Sequence, residues 1–125
     1  MLQGVVGLRA SDAVGDYGER LAERLLVGQG MTVLERRWRC RQGEIDIVAL
    51  DGECLVVCEV KTRRSQLAGT PADAVTAVKL ARLRRLSGAW LAQQPRWFPE
   101  VRIDVVCVVV PRRGAPRVEH LRGVA

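Results

Sequence analysis

Two apolar runs meet at Asp51-Gly52. Asp-Gly between such runs is a strong hairpin signal, because a two-residue type I′ turn needs φ > 0 at both central positions. Glu44 to Leu50 then reads as one strand and Glu53 to Lys61 as its antiparallel partner. With Asp51 and Gly52 as the loop, Leu50 pairs with Glu53, Asp46 with Val57 and Glu44 with Glu59, and Asp46 stands diagonal to Glu59. Directly opposed residues share a face, and so do residues two apart. One face therefore collects Ile45, Ile47, Ala49, Cys54, Val56, Cys58 and Val60, and reads as core. The other carries Val48, Leu50, Leu55 and Val57, and at its open end Glu44, Asp46, Glu59 and Lys61.

The hairpin sits in a chain of 125 residues, the size of one domain. Residues 1–11 carry little pattern and read as a loose N-terminal segment, which leaves 12–125 as the domain. Ser11-Asp12 are helix-capping types, and Val14, Tyr17, Leu21 and Leu25 follow at helical spacing until Gly28 and Gly30 end the helix. Met31 to Arg39 alternates as a strand, with Thr32, Leu34 and Arg36 on one side and Val33, Glu35 and Arg37 on the other. Thr70-Pro71-Ala72-Asp73 has the capping residue, N1 proline and N3 acid of a helix start, and the spacing predicts a helix from there to about Gln93. Val101 to Val110 is almost wholly apolar, as a strand buried on both faces would be, and Arg117 to Leu121 adds a short edge strand. The order α-β-β-β-α-β predicts an α/β fold with a mixed central sheet flanked by helices.

Charge and cysteine content narrow the partners. Lys and Arg number 20 against 14 Asp and Glu, for a formal charge of +6. That excess favours a polyanion, usually nucleic acid. Eighteen of the 20 cations are Arg, so Lys61 and Lys79 stand out. No apolar run reaches the length of a membrane span, and no membrane partner is expected. Cys40, Cys54, Cys58 and Cys107 show no zinc spacing with the single His120. They read as buried free thiols of a cytoplasmic protein.

Three carboxylates at one end of a hairpin repel one another. Protonation of an acid, Lys61 with nearby Arg, or a divalent ion of the Mg²⁺ or Mn²⁺ type would each offset that, as would simple exposure to solvent. Glu19 lies about 20° from Leu26 round the first helix, at the edge of its apolar stripe, from which it can look over the sheet. Lys79 falls inside the stripe of Val75, Leu83, Leu86 and Trp90 on the second. Arg82, Arg84 and Arg85 make a basic ridge there, suited to solvent or to a nucleic-acid backbone.

Asp46, twelve residues, then Glu59-Val60-Lys61 resembles the motif of the PD-(D/E)xK nuclease superfamily, with Ile45 in place of its proline. Gly15-Asp16-Tyr17-Gly18-Glu19, Gly43 to Ala49, Val57 to Arg63 and Pro71 to Lys79 resemble the bacterial YraN-like family, which is similar to the archaeal Holliday junction resolvases. The resemblance covers roughly residues 12–110. It implies a restriction-endonuclease-like core and a Mg²⁺- or Mn²⁺-dependent nuclease. Such an enzyme acts on DNA rather than RNA, on branched or flapped structures, and as a homodimer if it resolves junctions. By the same resemblance Asp46, Glu59 and Lys61 are catalytic. Asp46, Glu59 and Glu19 hold the metal, and Lys79 contacts phosphate. Arg63, Arg64, Arg82, Arg39 and Arg41 are further candidates for the nucleic-acid track. A nucleic-acid-binding module without turnover, or an acidic site for a protein partner, would use the same residues differently.

Overall fold

The computed structural model describes residues 10–65 and 69–125. Helix α1 (Ala10–Gly28) leads into a meander of β1 (Thr32–Cys40), β2 (Gly43–Asp51) and β3 (Cys54–Arg63). A single 3-10 turn (Pro71–Ala74) and helix α2 (Ala77–Leu91) follow, then β4 (Glu100–Val109) and β5 (Arg117–Leu121). The five strands form one mixed sheet in chain order, antiparallel except for the parallel pair β3–β4. This is the expected α-β-β-β-α-β arrangement with its optional edge strand. The loose segment expected over residues 1–11 lies outside the described residues except for its last two, where α1 already runs. Among the described residues no helix is long and apolar enough to cross a membrane.

One core lies on each face of the sheet. Ala22 and Leu26 of α1 pack with Ile47, Ala49, Val56, Cys58, Val106 and Val108. Leu83, Leu86 and Trp90 of α2 pack on Trp38, Val48, Leu55, Val57 and Ile103. β3 and β4 are thus covered on both sides, as a parallel pair requires. All four cysteines are free, with Cys58 and Cys107 buried and Cys40 and Cys54 half-buried.

The structure corrects three local readings. First, the hairpin register is shifted: Asp51 pairs with Cys54 and Leu50 with Leu55, not with Glu53. The loop is Gly52-Glu53, with Gly52 at φ +61°. Glycine at the first loop position suits a type II′ turn, in which only that residue needs positive φ. A shift of two keeps each residue's face, but it removes the Glu44–Glu59 and Asp46–Val57 pairs and brings Asp46 into line with Glu59. Second, alternation breaks beside Asp46. Ile45 packs in the α2-side core with Val48, not with Ile47. On β1 the register shifts between Val33 and Glu35, and Arg37 has φ +50°. Glu35 accepts from Trp90 on the α2 side, while Arg36 and Arg37 both reach acids of α1. Third, the second helix is interrupted. Pro71–Ala74 makes only one 3-10 turn, Val75 is extended, and Thr76 caps α2 by accepting from Lys79 N–H at 3.2 Å.

Candidate functional site

The site forms where β2 and β3 part. Their ladder ends at Ile47–Cys58. Beyond it the Asp46 carboxylate, not a backbone carbonyl, accepts the Val60 N–H at 2.7 Å. Asp46 thereby plugs the gap between the strands, and its side chain takes a backbone donor that the ladder has abandoned. The break in alternation sets it beside Ile47 on the wall of a groove between α1 and β1. That groove has a volume of about 910 Å³.

Four acids converge here. Burial raises the Asp46 pKa; the Val60 N–H pulls it back, and the charges of Glu59, Glu19 and Glu44 push it further, to about 7. The repulsion anticipated from the hairpin is present, although Glu19 contributes to it across from α1. Among the described residues, no group of three or more acid, His or Cys side chains is drawn close enough to hold a metal ion. Each acid other than Asp46 is instead matched to a cation. Both Glu59 oxygens accept from Arg82, at 3.2 and 3.3 Å, and Lys79 Nζ stands 3.9 Å away. Glu19 accepts from Arg37 Nε at 2.9 Å, and Asp16 takes the same guanidinium. Glu44 pairs with Arg39 at 3.2 Å.

Helix α1 reaches this end of the sheet because Gly18 has no side chain. A Cβ there would stand 2.0 Å from Thr62 Oγ1 and 2.9 Å from Thr62 Cβ. Glu19 is carried in with that contact. Its position at the stripe edge was readable from sequence, whereas the close approach of Gly18 to β3 was not.

Of the expected site residues, Glu59 and Glu19 act on Asp46 through their charge but are not drawn into one cluster with it, and Lys61 lies two residues beyond Glu59 on β3. Lys61 is half-buried and pairs with no described side chain. The nucleic-acid candidates are less uniform. Lys79, Arg82 and Arg39 face acids, and Arg63 donates to the Gly69 carbonyl at 3.0 Å. Arg41 and Arg64 are exposed. Arg37 was missed, although an arginine in the middle of a strand is a weak sign that it crosses to an acid. Asp104 was missed too, a lone acid in an apolar strand. It is fully buried, held by Arg102 at 2.9 Å, His120 at 2.7 Å and the Gly123 N–H at 2.9 Å.

The comparisons with known proteins agree along nearly the whole chain. The family described as "Uncharacterised protein family UPF0102" matches residues 18–108, which include every acid of the site except Asp16. A UPF0102 protein of Kineococcus radiotolerans is 64% identical over 122 residues, 97% of this chain and 100% of the relative. One from Beutenbergia cavernae is 60% identical over 94% of this chain and 99% of its own length. One from Streptomyces coelicolor is 58% identical over 98% of this chain and 95% of its own. With matches this long and this similar, the chain belongs to the UPF0102 family, the YraN-like proteins that its motifs resemble.

Proposed function

We propose that this protein is a cytoplasmic, divalent-metal-dependent nuclease that hydrolyses phosphodiester bonds in DNA, on branched or flapped structures. One observation carries the reading: a half-buried carboxylate, Asp46, has three acids acting on it and no cation of its own among the described residues, while Lys61, two residues beyond Glu59, pairs with no described acid. A buried acid pushed up to about 7 is a poor anion until a cation arrives. Its neighbours offer only carboxylate oxygens, the donors that Mg²⁺ and Mn²⁺ favour. By donor type the set suits such an ion, although among the described residues the acids are not drawn close enough to hold one as they stand. Asp46, Glu59 and Glu19 would hold it, and when bound it would supply a hydroxide-like nucleophile and neutralise developing oxyanion charge.

The remaining roles fall to the chain's own groups. Asp46 keeps its orientation through the Val60 N–H. Lys61, on the rigid strand β3, is free to orient the attacking water or to stabilise charge on the phosphoryl oxygens. Arg41 and Arg64 are exposed and open to backbone phosphates, with Arg63, Lys79, Arg82 and Arg39 beside them.

A second reading, a nucleic-acid-binding module without turnover, is favoured by one contact: Arg82 already takes both oxygens of Glu59. Incubation with branched, single-stranded and duplex DNA in Mg²⁺, Mn²⁺ or EDTA separates the two. The nuclease reading expects metal-dependent cleavage that Asp46→Asn and Glu59→Gln each abolish while DNA binding persists. Cleavage at the wild-type rate by either variant would remove the site assignment, and metal-independent binding with no cleavage would favour the second reading.

A further inference from the structure

Helix α1 turns one face to strand β1. Asp16, Arg20, Glu23, Arg24 and Val27 recur at helical spacing and form one wall of the groove that ends at Asp46. Arg36 and Arg37 form the other wall. The ion pairs across the groove follow a pattern. Arg36 takes Glu23, and Arg37 takes both Glu19 and Asp16. Every acid on the helix wall is thus matched by an arginine of the strand. Arg20 and Arg24 are left over. Both are exposed, and among the described residues neither pairs with an acid. The Arg20 guanidinium carbon lies 6.0 Å from the centroid of the Tyr17 ring, which limits its swing without taking its donors.

We propose that this groove seats one strand of the nucleic acid, separated from its complement, with backbone phosphates on Arg20 and Arg24. The inference rests on the nucleic-acid partner that both readings above share, and it needs no metal ion. The groove has the length for it. From Asp16 to Gly28 it follows α1 for about 18 Å at about 1.5 Å per residue. A strand that rises about 3.4 Å per nucleotide places about five nucleotides there. Arg20 and Arg24 stand one helical turn apart, about 6 Å along the axis, and so reach neighbouring phosphates of one strand. Their forked donors fit phosphate in two-point contacts. A duplex is served less well. Its second strand would meet the β1 wall, where Arg36 and Arg37 are already committed to acids. The groove also leads down to Asp46, half-buried where β2 and β3 part, a depth that suits a strand freed from its partner. Val27 and Ile47 offer apolar surface to its sugars and bases.

Fluorescence anisotropy in EDTA, where no metal-dependent cleavage intervenes, tests this with a labelled oligothymidine and a blunt duplex of equal length over a range of NaCl concentrations. Arg20→Gln and Arg24→Gln should each weaken oligothymidine binding about tenfold, the value of one charge-assisted contact. Each should flatten the slope of log affinity against log salt by about 0.7, and the double variant by about 1.4, as for phosphate contacts on a single strand. The duplex slope of the double variant should be unchanged. Gln is a good helix former at exposed positions, so the helix tolerates both changes. Arg20→Lys with Arg24→Lys keeps both charges and should keep the slope. Arg96→Gln removes one charge near the start of β4, at the hairpin end of the sheet, and should leave both affinities within about twofold. An unchanged oligothymidine slope in the double variant, an equal loss on the duplex, or an equal loss from Arg96→Gln would each overturn the groove assignment. Cleavage by the double variant in Mg²⁺ at the wild-type rate would then leave the nuclease reading standing. The expected slopes with no cleavage by wild type in Mg²⁺ would uphold the groove and remove turnover. A wild-type protein that binds neither DNA would overturn both.

Discussion

Among the described residues, Asp46 and Lys61 differ from their neighbours in having no partner of opposite charge, and each should respond to substitution in its own way. The Asp46 carboxyl holds its proton up to about 7 in the folded chain, against an ordinary value of 3.8. The stability tied to that proton is complete below about pH 3.8 and is lost as pH rises through about 7. The metal-free protein in EDTA should therefore melt at a lower temperature at pH 8 than at pH 5. Asp46→Asn should flatten that part of the profile and raise the melting temperature at pH 8 by a few degrees. Saturating Mg²⁺ should reverse the order of the two proteins at constant ionic strength, since a ligand at ten times its Kd adds about 1.4 kcal/mol. Identical profiles for the two proteins would mean that the acids are solvated and apart. Lys61→Ala should leave stability within about 0.5 kcal/mol, as for other residues without partners. Its kcat should fall about a hundredfold or more if the ammonium acts on transition-state charge. Recovery of that rate by added metal alone would reduce Lys61 to charge balance. Much of this site was readable in the sequence, because acids and a lysine at the open end of a hairpin announce themselves through spacing. The arginines that pair with Glu19 and Glu59 were not. Arg37 and Arg82 come from a different strand and a helix, and only three-dimensional closure matches them to Glu19 and Glu59.

Between elements, the contact of Gly18 with Thr62 fixes how far α1 can descend onto β3. Gly18→Ala would place a methyl 2.0 Å from Thr62 Oγ1. The helix must lift, at a cost of about 1–3 kcal/mol. Chemical denaturation should show that loss together with weaker Mg²⁺ binding, because Glu19 moves with the helix. Adding Thr62→Ala should restore part of it, since the Thr62 Cβ at 2.9 Å remains. Additive losses in the double variant would disprove the clash. Element order and type were legible because periodicity reports on burial, and burial is set by whole faces. The errors lie where one residue overrides a pattern. Gly52 moved the turn by one position because only one residue of the loop needed positive φ. Arg37 broke the alternation of two strands at once. Thr76, a stronger cap here than Thr70, restarted the helix after Pro71–Ala74.

At the scale of the molecule, two charged constructions are built at different places. Asp104 lies fully buried among Arg102, His120 and the Gly123 N–H, and Arg102 and Arg122 both extend to Asp51. Burial pushes the Asp104 carboxyl up, but these donors outweigh it and hold it below the usual range. Asp104→Ala would leave Arg102, 20% exposed, with Asp51 alone, and would take from His120 and the Gly123 N–H their shared acceptor. A loss of about 3–5 kcal/mol in urea unfolding is expected, with junction binding by the folded variant unchanged. A loss below about 1 kcal/mol would mean that the network is incidental. The parallel seam between β3 and β4 has a further consequence, for the order in which the chain organises itself. Cys54 meets Glu100 across that seam, whereas every β2–β3 pair closes through a two-residue loop. Long-range pairing is slow, because loop-closure entropy is lost before contacts form. The meander should nucleate first, so that Val48→Ala slows refolding in stopped-flow experiments while Val106→Ala chiefly accelerates unfolding. The reverse pattern would place the seam in the nucleus. Asp46, Glu59 and Lys61 all lie on the early-forming meander, but α2, which carries the Arg82 and Lys79 partners of Glu59, lies within the crossover to β4. A ribosome-bound chain would therefore display its acids well before α2 can bring their counter-ions to them.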